Sequence, residues 1–319
     1  MPFGPETWKD RKLRRAQNQT HTHLFRRADV LRTAREALRP PPERRLKILS
    51  FGCSTGEEIV TLRLVFPHAE IFGCEIDPET RAIAKRSVGH IAPILESDEA
   101  TLAAHGPFDL INCSASLCLY PPKDIATRFP PGQFDETLAI LDAVLAPGGL
   151  LAITNASYRF RDSPFGASHV PVRSDIVSSS GFVDVFAHDG RPFLSRIQQH
   201  PQVAFCRGPA FALDDAEELA DSLFRKPPPG TDGVQAPLRL APVPPQFVCD
   251  LEFRRSNLDG LEPALRADAV EIVTHYLFGS DAATGCRGCS VETVWDWGAG
   301  PRRRPPVWIP LHDDALAEW

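Results

Sequence analysis

The sequence predicts an α/β fold with a mostly parallel sheet, and three observations carry that prediction. Short apolar runs alternate with helix-length segments between residues 46 and 154, the pattern that places crossover helices between parallel strands. Gly52-Cys-Ser-Thr-Gly56 follows the first apolar run and opens a helical pattern. Glu75 ends the second run, at the spacing of about twenty residues that a βαβ unit gives.

The elements follow in order. Leu24, Leu31 and Leu38 recur at intervals of seven with Ala28 and Ala34 between them, so residues 24–38 read as a helix with one apolar stripe. Pro40-Pro-Pro42 ends it, because consecutive prolines lack N–H donors and break helical turns. Residues 46–51 read as the first strand, 57–66 as a helix, 70–75 as the second strand and 78–88 as a helix with Pro78 in its first turn. Residues 91–95 form a third strand, 109–113 the fourth, 134–145 a helix and 150–154 the fifth strand. Residues 182–187 and 192–197 flank His188-Asp-Gly190, a turn signal that makes them a hairpin and supplies an antiparallel edge strand.

The whole reads as a Rossmann-like, mostly parallel seven-stranded sheet with an antiparallel edge strand. An N-terminal helical arm (1–45) precedes the core (46–204), and a proline-rich C-terminal extension (205–319) follows it. Within the extension, 214–224 and 261–277 read as helices and 226–230 and 241–245 as linkers. Its tryptophans, Trp295, Trp297, Trp308 and Trp319, pack on the core, cover the pocket or form a homo-oligomer contact, with buried packing the simplest account.

Composition sets outer bounds. A chain of 319 residues with 43% hydrophobic content buries a sizeable core. It shows no apolar run of bilayer length and no signal-peptide core, so a cytoplasmic protein without a membrane partner is expected. The eight cysteines form no spaced disulfide framework and are expected to be reduced. Cys286-Arg-Gly-Cys289 is a lone pair, with Cys249 and His275 as the further zinc ligands it would need. A glycine-rich turn is the better reading, and no metal is expected.

The net charge of −6 hides an asymmetry: residues 1–47 hold thirteen Lys and Arg against five Asp and Glu, or +8, leaving −14 for the rest. The arm reads as a basic helix packed on an acidic body, its arginines solvated, or as a lid carrying His21 and His23 to the site. The acidic remainder and the lack of interleaved aromatics argue against a nucleic-acid partner.

The loop residues point to a ligand. Gly52 lets the chain turn out of its strand with no Cβ in the way, and Gly56 lets the next helix pack closely. The Glu75 carboxylate can accept from both hydroxyls of a ribose. A nucleoside is the expected ligand.

Gly52-Cys-Ser-Thr-Gly-Glu-Glu58 departs from the Gly-x-Gly-x-x-Gly pattern and resembles the cofactor loop of class I S-adenosylmethionine-dependent methyltransferases. Within that superfamily it is most similar to the chemotaxis-receptor enzymes. Phe108-Asp-Leu-Ile-Asn-Cys113 resembles the fourth strand, and Leu145-Ala-Pro-Gly-Gly-Leu-Leu-Ala-Ile153 resembles the helix end, turn and fifth strand. The resemblance covers roughly residues 46 to 200.

The resemblance implies S-adenosyl-L-methionine as cofactor. Main-chain groups of Gly52, Cys53 and Gly56 would line its methionine and ribose side, with Glu75 on the ribose, Ile76 against the adenine and Asp98 accepting from the adenine amino group. Either Glu57 or Glu58 would meet the ammonium. Asn112 and Ser114, at the end of strand four, are the candidate substrate contacts, against strand-end hydrogen bonding as the plain alternative. Tyr158, His169, His21 and His23 are candidate bases, against structural roles for each. In-line methyl transfer depends on holding the reactants at attack distance and excluding water.

Chemotaxis enzymes carry a helical domain before the loop and an inserted small sheet, for which this sequence shows no equivalent. A small-molecule acceptor is therefore expected. The same nucleoside end also serves aminocarboxypropyl transfer or cyclisation, and a non-catalytic cofactor-binding scaffold is a third alternative.

Overall fold

The computed structural model describes residues 13–17, 20, 22, 27–39, 44–66, 68–173, 184–194, 221–231, 236–240, 280–281 and 286–287. His21, His23, the expected helix at 261–277, Cys249, His275, Cys289 and the four C-terminal tryptophans lie outside these residues, as does all of 214–224 before Asp221.

Helix α1 (Ala28–Leu38) is followed by β1 (Lys47–Phe51), α2 (Glu57–Val65), β2 (Glu70–Glu75), α3 (Pro78–Val88), β3 (Ile94–Glu96) and α4 (Glu99–His105). The chain continues with β4 (Phe108–Ser114), α5 (Ile125–Arg128), α6 (Pro131–Val144), β5 (Leu145–Thr154) and β6 (Val170–Arg173). The short strands β7 (Val185–Phe186), β8 (Pro192–Leu194), β9 (Leu223–Arg225) and β10 (Leu238–Arg239) complete the described core.

The fold class stands: a mostly parallel α/β sheet with an antiparallel strand toward one edge. Its order is β10-β6-β9-β5-β4-β1-β2-β3, eight strands where seven are expected. The antiparallel member also differs. Strand β9 runs against both β5 and β6, and it comes from a segment whose sequence reads as helical. Strands β7 and β8 do form the expected hairpin, but as a separate two-stranded sheet. The physical reason lies in which faces each can bury. Leu223 packs into one core cluster and Phe224 into the other, so β9 fills a position covered on both faces. Phe186 instead packs against Tyr158 with ring centroids 6.4 Å apart. Because β9 and β10 belong to the sheet, the core extends beyond residue 204.

Alternation in the strands divides the interior. Ile48, Leu110 and Leu150 join α1, α2 and α3 residues such as Leu31, Leu62 and Val88 in one cluster. Leu49, Ile111 and Leu151 meet α4 and α6 residues such as Leu102, Phe134 and Leu141 in the other. The arm helix α1 is thus part of the core. Val30 and Leu31 are almost wholly buried, each contributing about 1.5–3 kcal/mol by transfer from water. Helix α6 begins three residues before the expected start, with Pro131 in its first turn, where a missing N–H costs nothing.

Candidate functional site

Strand order reverses between β1 and β4, and in an open α/β sheet ligands bind at that crevice, beyond the carboxyl ends of the strands. Here the backbone is bent sharply at several points: Gly52 (φ 77°), Ser54 (φ 51°), Gly56 (φ 111°), Ala115 (φ 56°) and Asn155 (φ 54°) all have left-handed or positive φ. Non-glycine residues in such conformations mark positions that their surroundings over-determine.

The loop 52–56 is organised from within. Gly52 N and Cys53 N both donate to the Cys74 carbonyl, at 3.0 and 2.9 Å, and Gly56 N donates to Cys53 O at 3.1 Å. Ser54 N donates to Glu75 Oε2 at 3.0 Å. Four of the five loop N–H groups are therefore engaged inside the protein. Loops that cradle phosphate present these donors outward; this one does not. Helix α2 also opens with Glu57 and Glu58, which repel an anion at its N-terminus. The ligand this loop fits is a nucleoside without phosphate.

Glu75 is buried, and both its oxygens are held by main chain: Oε2 by Ser54 N and Oε1 by Asp77 N at 2.9 Å. Each oxygen retains a lone pair beyond the one engaged, so the oriented carboxylate keeps two acceptor sites that could receive a vicinal diol. Ile76 follows directly and is half-buried. Asp77 caps α3 by accepting from Thr80 N at 2.9 Å. The Thr80 hydroxyl, the Thr80 N–H and Arg15 hold the Asp77 carboxyl below its ordinary range. Asp98 caps α4 through Oδ1, accepting from Thr101 N at 2.8 Å.

Cys53 turns its side chain into the protein. A Cβ on Gly73 would lie 2.9 Å from its Sγ, and burial pushes the Cys53, Cys74 and Cys113 thiols up, Cys74 to about 11. These thiols stay protonated, so none supplies a thiolate nucleophile. Glu57 accepts from the Thr55 hydroxyl at 2.6 Å, and burial raises its pKa. Glu58 accepts from the Ser50 hydroxyl.

Segments 13–17 and 20 of the arm cross this edge. Ser54 Oγ donates to Thr20 O at 2.8 Å, Arg15 to Asp77 at 3.1 Å and Gln17 Nε2 to Cys118 Sγ at 3.2 Å. Gln133 Nε2 donates to Arg14 O, and Ala16 is buried in the core between these contacts. The surface ion pairs Arg14–Glu136 and Arg15–Asp77 add at most about 1 kcal/mol each. The strap is thus held mainly by burial and main-chain contacts.

On the other side of the crevice, Asn112 is buried with its Nδ2 lacking a partner, and Ser114 Oγ accepts from Thr154 at 3.3 Å. Two residues that the sequence reading did not single out stand with them. Asn155 Oδ1 is likewise buried without a partner, and the Ser116 side chain bonds the Cys113 thiol. A Cβ on Gly52 would lie 2.7 Å from Ser116 Cβ, so Gly52 is needed for this close approach. Only the folded backbone shows it.

Two candidate bases are corrected. Tyr158 is fully buried and donates to Phe129 O at 2.7 Å, and desolvation lifts its pKa to about 12. It is a core residue between Phe129 and Phe134. His169 lies just before β6, which runs in the same sense as β5, so it sits at the opposite end of the sheet from the loop. Its Nδ1 is 3.0 Å from Phe165 O and its Nε2 is 3.2 Å from Asp142 Oδ1. Tyr158→Phe is expected to lower unfolding free energy by about 1–2 kcal/mol through the orphaned Phe129 carbonyl. Substrate turnover by the folded variant should be unchanged; a large fall in turnover would restore Tyr158 to the chemistry.

Asp142 anchors this far end. Burial opposes its ionisation, but His169 and Lys226, whose Nζ lies 3.2 Å away, outweigh that and leave the carboxyl below its ordinary 3.8. A depressed native pKa contributes stability above the unfolded value and loses it as pH falls through the native one. Acid titration should therefore unfold the wild type more steeply below about pH 3.8 than Asp142→Asn, which lacks that contribution already at neutral pH. Equal acid dependence of the two would refute it.

These features define an α/β domain with a glycine loop and a main-chain-anchored carboxylate at its switch point. A family model described as a methyltransferase domain matches residues 21–192, more than half of the sequence, and the chain belongs to that family. No curated protein matches it. Among solved structures it is similar to the sugar N-methyltransferase KedS8 from Streptoalloteichus sp ATCC 53650, at 26% identity over 40% of this chain and 46% of that one, TM-score 0.30. It is also similar to DesVI of Streptomyces venezuelae (16%, 47% and 57%, 0.32) and to the plantazolicin methyltransferase BpumL in complex with SAH (18%, 41% and 47%, 0.30). The chain spans about half the length of these proteins. No helix among the described residues is long and apolar enough to cross a membrane, and no group there has the ligands for a metal ion.

Proposed function

We propose that this chain transfers a methyl group from S-adenosyl-L-methionine to a small-molecule acceptor by in-line displacement. The observation that carries the reading is the Glu75 carboxylate, fixed by Ser54 N and Asp77 N beside a loop whose own N–H groups are engaged. That arrangement suits a nucleoside with a diol and no phosphate. When bound, the sulfonium supplies an activated methyl group.

The protein's part is to bind and orient. Glu75 accepts from both ribose hydroxyls, Ile76 lies against the adenine and Asp98 Oδ2 accepts from its amino group. The carbonyls of Gly52 and Cys53 line the methionine side, since their N–H groups are engaged by Cys74. Residues 13–17 and 20 of the strap cover the edge, and excluding water there strengthens the polar contacts inside. Neither Tyr158 nor His169 stands at the crevice, and of the candidate bases His21 and His23 lie outside the described residues.

Calorimetric titration with S-adenosylhomocysteine, followed by product analysis with methyl-labelled S-adenosylmethionine and extract of the producing cells, tests the reading. S-adenosylhomocysteine as product is expected. Methylthioadenosine would mean attack on the amino-acid chain instead, and binding without any turnover would favour a scaffold.

A further inference from the structure

The N-terminal strap ties the two banks of the crevice together. On the bank of β1 and β2, Ser54 Oγ donates to Thr20 O at 2.8 Å and Arg15 donates to Asp77 Oδ1 at 3.1 Å. On the bank of β4 and α6, Gln17 Nε2 donates to Cys118 Sγ at 3.2 Å and Gln133 Nε2 donates to Arg14 O at 3.2 Å. Arg15 Nε also donates to Gln17 O at 2.7 Å, which braces the strap between its ties.

The two ties on the first bank fall on particular residues. Ser54 and Asp77 are the residues whose main-chain N–H groups hold the two oxygens of Glu75. Their side chains fasten the strap, so the strap is pinned on either side of the carboxylate, and Glu75 itself is 8% exposed.

The hold is of a kind that opens. Ala16 is the strap's one buried side chain among the described residues, and Leu13 is partly buried. Segments with few buried apolar contacts open locally at a small fraction of the global unfolding free energy. Helix α1, further along the chain, is fixed in the core by Val30 and Leu31, so lifting the strap leaves the fold intact.

Resting on the methyltransferase reading, we propose that residues 13–17 and 20 form a clasp that gates cofactor exchange. The strap lifts for S-adenosylmethionine to enter and for S-adenosylhomocysteine to leave, and it closes over either one without bonding to it. A ribose that meets both Glu75 oxygens passes between Ser54 and Asp77, the points where the strap is pinned. The Arg14 and Thr20 carbonyls and the Arg15 and Gln17 side chains already have protein partners, so the clasp adds a barrier and no ligand contact. A barrier common to both directions slows entry and exit by the same factor and leaves the affinity alone.

The test measures association and dissociation rates of S-adenosylhomocysteine on immobilised full-length protein by surface plasmon resonance. It compares wild type, Ala16→Glu, the double variant Arg15→Ala/Gln17→Ala, and Tyr158→Phe. Ala16→Glu forces a charge into the apolar seat of the strap and is expected to raise both rates about fivefold or more. The double variant removes only part-exposed polar ties and should raise both about two- to fivefold. Affinity should stay within about twofold of wild type in each. Tyr158→Phe loosens the core without touching the strap and should change neither rate. The double variant carries the test if Ala16→Glu does not fold. Unchanged rates in the strap variants overturn the clasp. Faster dissociation alone overturns it too, because it marks the strap as a ligand contact and not a gate, and an equal rise in Tyr158→Phe overturns it by tracing the effect to loosened packing. Failure of wild type to bind S-adenosylhomocysteine at all sinks the broader methyltransferase reading instead.

Discussion

Gly56→Ala is expected to be the most damaging single methyl group that can be added to this protein, lowering unfolding free energy by roughly 2–6 kcal/mol. Two independent effects add. At φ 111° an L-residue is strained by about 1–3 kcal/mol. The new Cβ would also meet Val88 Cγ2 at 2.5 Å and Cγ1 at 3.0 Å, and overpacking of this kind costs about another 1–3 kcal/mol. Val88 cannot turn away easily: it is wholly buried at the end of α3, and its branched Cβ has one strongly preferred rotamer in a helix. Combining Gly56→Ala with Val88→Ala should recover the steric part and leave the backbone strain. Denaturant midpoints of the wild type and the two variants measure this, and a loss under about 1 kcal/mol in the single variant would refute the close packing of loop on helix.

Glu75→Gln is expected to weaken S-adenosylhomocysteine binding by about 10- to 100-fold, or roughly 1–3 kcal/mol. The carboxylate accepts from Ser54 N and Asp77 N at once. An amide can accept on only one of its two ends, so its NH₂ would be set against a main-chain N–H, and the diol would lose one acceptor as well. Glu75→Ala should lose more, because both N–H groups are then left without the buried acceptor. Calorimetry on folded variants separates binding from stability. Unchanged affinity in both would refute the ribose contact.

Much of the fold was legible because its signals are local. Apolar runs at strand length marked β1, β2, β4 and β5, and Pro78 and Gly52 marked turns whose chemistry is independent of distant contacts. Strand β9 was not legible. Leu223–Arg225 is three residues long, too short for any periodicity, and only the open position beside β5 makes it a strand. The site divides in the same way. Gly52, Gly56 and Glu75 stand where their spacing places them. Tyr158 and His169 carry chemistry-bearing side chains, but residues 155–169 run from one end of the sheet to the other, and no pattern within that loop records its direction. Asp98 is followed three residues on by Thr101, whose N–H it accepts, so its capping role was open to a local reading. Asn155 gave no such signal, since what distinguishes it is the lack of a hydrogen-bond partner.

The inward-turned donors of the glycine loop bear on how this site copes with a crowded cell. Adenine nucleotides carry the same base and sugar as the cofactor and are abundant in cells. A loop with Gly52, Cys53, Ser54 and Gly56 already bonded, next to Glu57 and Glu58, leaves a triphosphate one loop N–H, that of Thr55, beside two acidic neighbours. Discrimination against the commonest competitor is thereby built into the turn itself, without a separate gate.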